Sequence, residues 1–158
     1  MILTNSPERF VSVRDGRVEA RPIKGTRRRS NNAVDDAALA AELAASSKDR
    51  AENLMIVDLM RNDLSRVCAS GSVHVPVLCA VETYANVHHL VSVIEGELDA
   101  ERDVFDLVAA SFPPGSITGA PKVRAMQIIS ELEGESRGPY CGALGWISQA
   151  GDMDLNVM

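Results

Sequence analysis

Aromatic side chains are scarce: three Phe, two Tyr and one Trp make up 4% of the 158 residues. A core must therefore be packed with aliphatic side chains, and the 46% hydrophobic content suffices for one globular unit. Long apolar runs are missing as well. None approaches the roughly 18 residues that a membrane span needs. The opening Met1-Ile-Leu-Thr-Asn-Ser6 lacks the basic start and apolar stretch of a secretory leader. Cysteine is limited to Cys68, Cys79 and Cys141, widely spaced and without a CxxC pair, which suggests neither a zinc ribbon nor a disulfide framework. A reduced, cytoplasmic setting without a membrane partner is the expectation. Internal repeats and low-complexity linkers are also absent, so residues 1–158 are read as one unit.

Charge is plentiful but uneven. Residues 1–29 carry eight Lys/Arg against three Asp/Glu, a balance of +5, whereas the remainder carries eight against 19, a balance of −11. A basic arm can mean nucleic acid. Here it lacks interleaved aromatics, and the acidic remainder would repel phosphate. No nucleic-acid partner is expected, and a small anion near Lys24 and Arg27-Arg28-Arg29 is the favoured use.

Two short strands, from Ser6-Pro-Glu-Arg-Phe10 to Pro22-Ile-Lys-Gly-Thr26, are predicted to be joined at Arg14-Asp15-Gly16-Arg17, since Asp-Gly between alternating residues is a hairpin signal. If Arg14 pairs with Arg17, Glu8 faces Ile23 and Lys24 lies diagonally beside it. Cross-strand neighbours sit roughly 5 Å apart and diagonal ones about 7–8 Å. A carboxylate and an amine could then converge on one small molecule, or form an ordinary charged pair on a surface hairpin.

Asp35 or Asp36 is the expected cap of an alanine-rich helix through Ala37–Ala45, broken at Ser46-Ser47 and followed by a helix from Asp49 to Arg66. At about 100° per residue, Asp58, Arg61 and Asn62 share a sector that can face water, while Glu52 and Asp63 fall in a stripe with Ile56 and Leu59. A carboxylate there must be paired, hydrogen-bonded or bound to metal, and one carboxylate builds no metal site alone. Val73 to Val81 contains Pro76 and reads as an edge strand running into irregular chain. A strand from His89 follows, with His88 and His89 on opposite faces. Asp103–Ser111 reads as a short helix. Gly115-Ser-Ile-Thr-Gly-Ala-Pro-Lys122 then leads into a helix through Val123–Leu132 with Pro121 in its first turn. A glycine-rich loop at a helix start is a generic anion site, but its GxxxG spacing is not that of a Walker A loop. Strands over Tyr140–Ser148 and from Met153 close the pattern.

Five segments in this order resemble the chorismate-utilising enzymes: Ser6-Pro-Glu-Arg-Phe10, Pro22-Ile-Lys-Gly-Thr26, Asp49 to Leu64, His89-Leu-Val-Ser92 and Gly115 to Met126. That family includes anthranilate synthase component I, aminodeoxychorismate synthase component I, isochorismate synthase and salicylate synthase. The resemblance implies an α+β fold of antiparallel sheets with packed helices. Lysine at position 24, where anthranilate synthases usually have alanine, resembles the aminodeoxychorismate type, which converts chorismate and ammonia to 4-amino-4-deoxychorismate for 4-aminobenzoate and folate. The ammonia would come from a separate glutamine amidotransferase subunit.

By the same resemblance, Lys24 matches a covalent nucleophile and Glu8 a general acid/base. Glu52 matches a Mg²⁺ ligand. Gly25, Thr26 and His89 match substrate contacts, as do Thr118 and Gly119 in the glycine-rich segment, while Trp146 stands where many members have tyrosine. The family's catalytic chains are longer at both ends and carry a further arginine and a second acidic pair for Mg²⁺. The chain is accordingly expected to be an internal part of a catalytic domain, with little activity and weak Mg²⁺ affinity by itself. Two other functions stay open: anthranilate synthesis, and a non-catalytic piece that only associates with a partner.

Overall fold

A computed structural model describes residues 2–158; Met1, the first residue of the segment read above for a leader, lies outside the described residues. Seven strands form one antiparallel sheet: β1 (Arg9–Arg14), β2 (Arg17–Arg21), β3 (Ile23–Arg28), β4 (His74–Thr83), β5 (Val87–Glu97), β6 (Ala143–Ile147) and β7 (Met153–Val157). The five helices are α1 (Ala33–Ala45), α2 (Ser47–Leu64), α3 (Val104–Ser111), the single turn α4 (Gly115–Thr118) and α5 (Lys122–Glu133). No described helix is long and apolar enough to cross a membrane.

The long strand β5 organises the sheet. β3 pairs with its first half and β2 with its second half along one edge, while β4 takes the other edge. β1 joins β2 to β7, and β6 closes that side. Alternating residues of β1 and β2 (Val11, Val13, Val18, Ala20) turn inward against Ile56, Val57, Met60 and Leu64 of α2, with Ile94, Leu107 and Met153 completing an aliphatic core. This is the α+β architecture expected from the sequence, built with only one aromatic residue, Phe10, among the buried hydrophobic side chains.

The hairpin forms at Asp15-Gly16, both with positive φ, and Arg14 pairs with Arg17 as expected. Its register does not run on to residue 8. A bulge between Ser12 and Arg9 shifts the pairing so that Arg9 meets Arg21, and β2 ends there. Pro22 has no N–H for the ladder, and beyond it the chain leaves β1 and continues along the same edge of β5 as β3. Glu8 and Ile23 are therefore not ladder partners, yet they stay close enough for the Ile23 N–H to favour the charged Glu8 carboxylate.

Other departures from expectation have local causes. Asn32, not Asp35 or Asp36, caps α1, accepting from the backbone of Val34 at 2.9 Å. Asp36 is taken by Arg29, the Ser30 N–H and His88. The edge strand β4 continues through Pro76 to Thr83 instead of becoming irregular, with pairing irregularities and a positive φ at Cys79 absorbing the misfit. Pro121 is the N-cap of α5, one residue outside its first turn. On α2, Asp58, Arg61 and Asn62 do face water, but the two carboxylates read into one stripe part company: Asp63 is buried and Glu52 is exposed. The stripe that is buried starts at Asn53 and continues through Ile56, Val57, Met60 and Leu64.

Asp63 is paired. The Lys122 ammonium donates to its carboxylate and to the Ser111 carbonyl, and Arg66 donates to its other oxygen at 2.8 Å. Their side chains are only 13% and 5% exposed for Lys122 and Asp63. Replacing Lys122 with Met leaves the buried carboxylate with Arg66 as its remaining cation and is expected to lower stability by about 3 kcal/mol, read as a shift of the urea midpoint. Adding Asp63→Leu should recover much of that loss.

Gly25 sits at the β3 bulge with φ +88, and a Cβ there would lie 2.8 Å from Asp49 Cβ and 2.9 Å from Leu43 Cδ1. Gly25→Ala is expected to cost about 2 kcal/mol through backbone strain and this clash, with an unchanged denaturant slope.

Candidate functional site

Glu8 and Lys24 come together under α4. Glu8 precedes β1, and its backbone carbonyl is fixed by the Val157 N–H of β7 at 3.0 Å. Its carboxylate enters a narrow crevice walled by Phe10, Pro22, Ile56, Met60 and Ser116. Burial among these groups pushes its pKa up, and the Ser116 hydroxyl, the Lys24 ammonium and the Ile23 N–H oppose that rise without cancelling it. A carboxyl held this way keeps its proton at higher pH than an exposed glutamate and is suited to donating it. Lys24, half-buried, points its ammonium at the Ser116 carbonyl, 3.1 Å away.

Buried polar bonds hold the β2–β3 junction that aims Lys24. The Asn53 amide reaches the carbonyls of Leu90 at 3.3 Å and Pro22 at 3.5 Å, and its oxygen accepts from Ser92. The Ser92 N–H also donates to the Pro22 carbonyl. Asn53 was not singled out in the sequence, although it begins the buried i, i+3, i+4, i+7 series of α2. Nothing in the glycine-rich segment marks Ser116 either, since that spacing points to an anion site.

That anion site is not what the segment builds. Residues 115–118 form the α4 turn, and Lys122 is committed to Asp63. The basic run on β3 is similarly occupied. Arg27 pairs with Glu42 at 2.8 Å and Asp49 at 3.4 Å, and Arg29 pairs with Asp36. Much of the charge asymmetry is thus spent tying a basic strand to acidic helices. Only Arg28 of the run remains exposed.

Thr26 and His89 pair across β3 and β5, with Thr26 Oγ1 and His89 Nδ1 2.8 Å apart. Burial lowers the His89 pKa, opposed by Glu82. His88, on the opposite face, is buried and bonded to Thr83 and Asp36. Thr118 Oγ1 donates to the Pro114 carbonyl, and Gly119 caps α4 with φ +122. Thr118 lines a cavity of about 310 Å³ together with Phe112, Met126, Arg137 and Tyr140, separate from the Glu8 crevice.

Trp146 does not join the group. It lies at the outer edge of the sheet with the Arg14 guanidinium 4.4 Å from its ring centre, at the turn end of the hairpin opposite Glu8. Glu52 is exposed, with the Lys48 ammonium 3.9 Å away. Among the described residues no three His, Cys, Asp or Glu side chains cluster to hold a metal. Glu52 alone does not fit a complete Mg²⁺ site.

The family model of the chorismate binding enzymes matches residues 1–158. The chain is 56% identical to aminodeoxychorismate synthase of Streptomyces pristinaespiralis, over 99% of this chain and 22% of that protein. It is 54% identical to aminodeoxychorismate synthase component 1 of Klebsiella aerogenes, over 99% of this chain and 35% of that one. Anthranilate synthase component 1 of Aquifex aeolicus is 48% identical, over 99% and 32%. The chain thus spans about a fifth to a third of the length of these curated relatives. Among solved structures, anthranilate synthase component I from Streptococcus pneumoniae superposes with a TM-score of 0.84 at 45% identity, covering 96% of this chain and 33% of that one. With the family model matching from end to end, the chain belongs to the chorismate binding enzymes.

Proposed function

We propose that this chain supplies the reacting pair of an aminodeoxychorismate synthase component I, as part of its chorismate-binding catalytic domain. The observation that carries this is the juxtaposition beneath α4 of Lys24 and Glu8, whose proton affinity burial raises. Identity is 52–56% to the bacterial aminodeoxychorismate synthases and 49% to the chloroplastic one of Arabidopsis thaliana, against 48% and 50% to two anthranilate synthases, and the bacterial values support the same choice.

In the proposed reaction Lys24 first gives a proton to the Glu8 carboxylate. The neutral amine attacks C2 of chorismate, both conjugated ring double bonds shift, and the C4 hydroxyl leaves as water with the proton from Glu8. The new secondary ammonium returns a proton to Glu8. Ammonia then attacks C4, both double bonds shift back, and the bond from C2 to Lys24 breaks, with Glu8 restoring the proton to the amine. The net change is chorismate plus ammonia to 4-amino-4-deoxychorismate plus water. Thr26 and His89 would line the ring-binding side, next to Lys24 along β3. The ammonia would come from a glutamine amidotransferase partner, in the cytoplasm. A bound Mg²⁺ would polarise and neutralise the substrate carboxylate. Glu52 could lend that ion one carboxylate, and no proton or bond is routed through it here.

Lys24→Ala in the intact polypeptide is expected to abolish ammonia-dependent aminodeoxychorismate formation and the chorismate-derived mass increase on the protein. Product formation at the wild-type rate, or anthranilate as the wild-type product, would remove the proposal. Glu8→Gln should lower kcat by about 10²–10⁴, with little change in KM.

Glu8 also makes a pH-dependent contribution to stability. Its folded pKa lies above the unfolded value because of burial, so the ionised form is the destabilising one. That cost is absent below the unfolded pKa and grows as pH rises through the folded one. Glu8→Gln is expected to be more stable than wild type at neutral pH, with the difference disappearing in acid, as followed by urea unfolding across pH.

A further inference from the structure

One residue touches both members of the reacting pair. The Ser116 carbonyl accepts from Lys24 Nζ at 3.1 Å. Its hydroxyl lines the same crevice that the Glu8 carboxylate enters. Ser116 Oγ is also buried and, among the described residues, has no hydrogen-bond partner. A buried hydroxyl without a partner is costly and calls for an explanation. Its neighbour shows the bland alternative: Thr118 turns its hydroxyl back to the Pro114 carbonyl four residues earlier. Ser116 makes no such bond.

We propose that Ser116 is the positioning residue of this pair, its carbonyl holding the Lys24 ammonium and its hydroxyl kept free as a hydrogen-bond donor to Glu8. The inference rests on the assignment of Lys24 and Glu8 as the reacting groups. It adds a reason why α4 is a helical turn. One tight turn presents the carbonyl and the side chain of one residue to two different strand segments. Lys24 is the cation facing Glu8 from β3. Arg9, which shares the crevice, is committed to Glu19 and Asp154. The remaining walls from α2 and β7, Ile56, Met60 and Val157, are apolar. Ser116 is therefore the one hydroxyl lining that crevice, and it can follow the carboxyl as it gains and loses a proton, since a hydroxyl both donates and accepts.

The test reads the proton on Glu8 directly. In the intact protein with ¹³C-labelled glutamate, the Glu8 carboxyl resonance is assigned by its loss in Glu8→Gln and titrated in wild type, Ser116→Ala and Ser116→Thr. Loss of a donor to the charged form should raise the Glu8 midpoint in Ser116→Ala by about one pH unit. Ser116→Thr, which keeps the hydroxyl, should stay close to wild type. An unchanged midpoint in Ser116→Ala overturns the proposal, and so does an equal rise in both variants. Should Ser116→Thr not fold, Ser116→Ala against wild type decides alone. Because the readout is a protonation and not a product, a Lys24→Ala variant that still forms product would sink the reaction scheme and leave the Ser116 result to stand or fall by itself.

Discussion

The buried ion pair between Lys122 and Asp63 is the constraint on which the site depends. Asp63 sits near the end of α2, and Lys122 opens α5. By donating also to the Ser111 carbonyl at the end of α3, Lys122 ties together both ends of the segment that carries α4. Within that segment Gly115 lies so close to Leu59 of α2 that a Cβ would meet the leucine at 2.7 Å. Ser116 is then delivered to Glu8 and Lys24. A buried pair of this kind is weak evidence for stability, since its desolvation offsets much of its attraction. Its effect here is geometric.

A second fixed point works from the sheet side. Asn53 and Ser92 hold the Pro22 carbonyl where β2 hands over to β3. This is where an uninterrupted hairpin ladder would have kept Ile23 and Lys24 paired with the chain before β1. At the bulge and Pro22 the chain leaves β1 and continues along β5 as β3, with Gly25 at a second irregularity, and the Ile23 N–H stays close enough to favour the charged Glu8 carboxylate. The site is therefore clamped between helix-borne and sheet-borne polar contacts, both buried. The same burial raises the proton affinity of Glu8, so the packing that positions the carboxyl also adjusts its chemistry.

How much of this was legible in the sequence follows from the range of each signal. Local signals are legible: the Asp15-Gly16 turn, the break at Ser46, the helix from Asp103 and the opposed histidines are each set within a few residues. The Glu8–Lys24 proximity was also anticipated, though from a register that the bulge interrupts. What could not be read was decided by chain distant in sequence. Periodicity placed Glu52 and Asp63 together, but only Asp63 has α3 and α5 around it. Lys122 and the Arg27–Arg29 run looked available for anions because their partners, Asp63, Glu42, Asp49 and Asp36, are named only by the fold. Trp146 occupied a plausible motif position, and the β6–β7 edge set it against Arg14 instead.

The arrangement of Lys24 has a consequence for the order of events in the proposed reaction. An ammonium held by a carbonyl oxygen is stabilised as a donor and is not a nucleophile. The amine must give up a proton, and the group facing it that can receive one is Glu8. Glu8 is also the group that must deliver a proton to the departing C4 oxygen. A single proton moving from Lys24 to Glu8 and on to the leaving hydroxyl thus activates the nucleophile and the leaving group in succession. A carboxyl with an ordinary exposed environment would accept that proton poorly. The buried crevice favours the proton-bearing form, and this links the aliphatic packing around residue 8 to the chemistry proposed for residue 24.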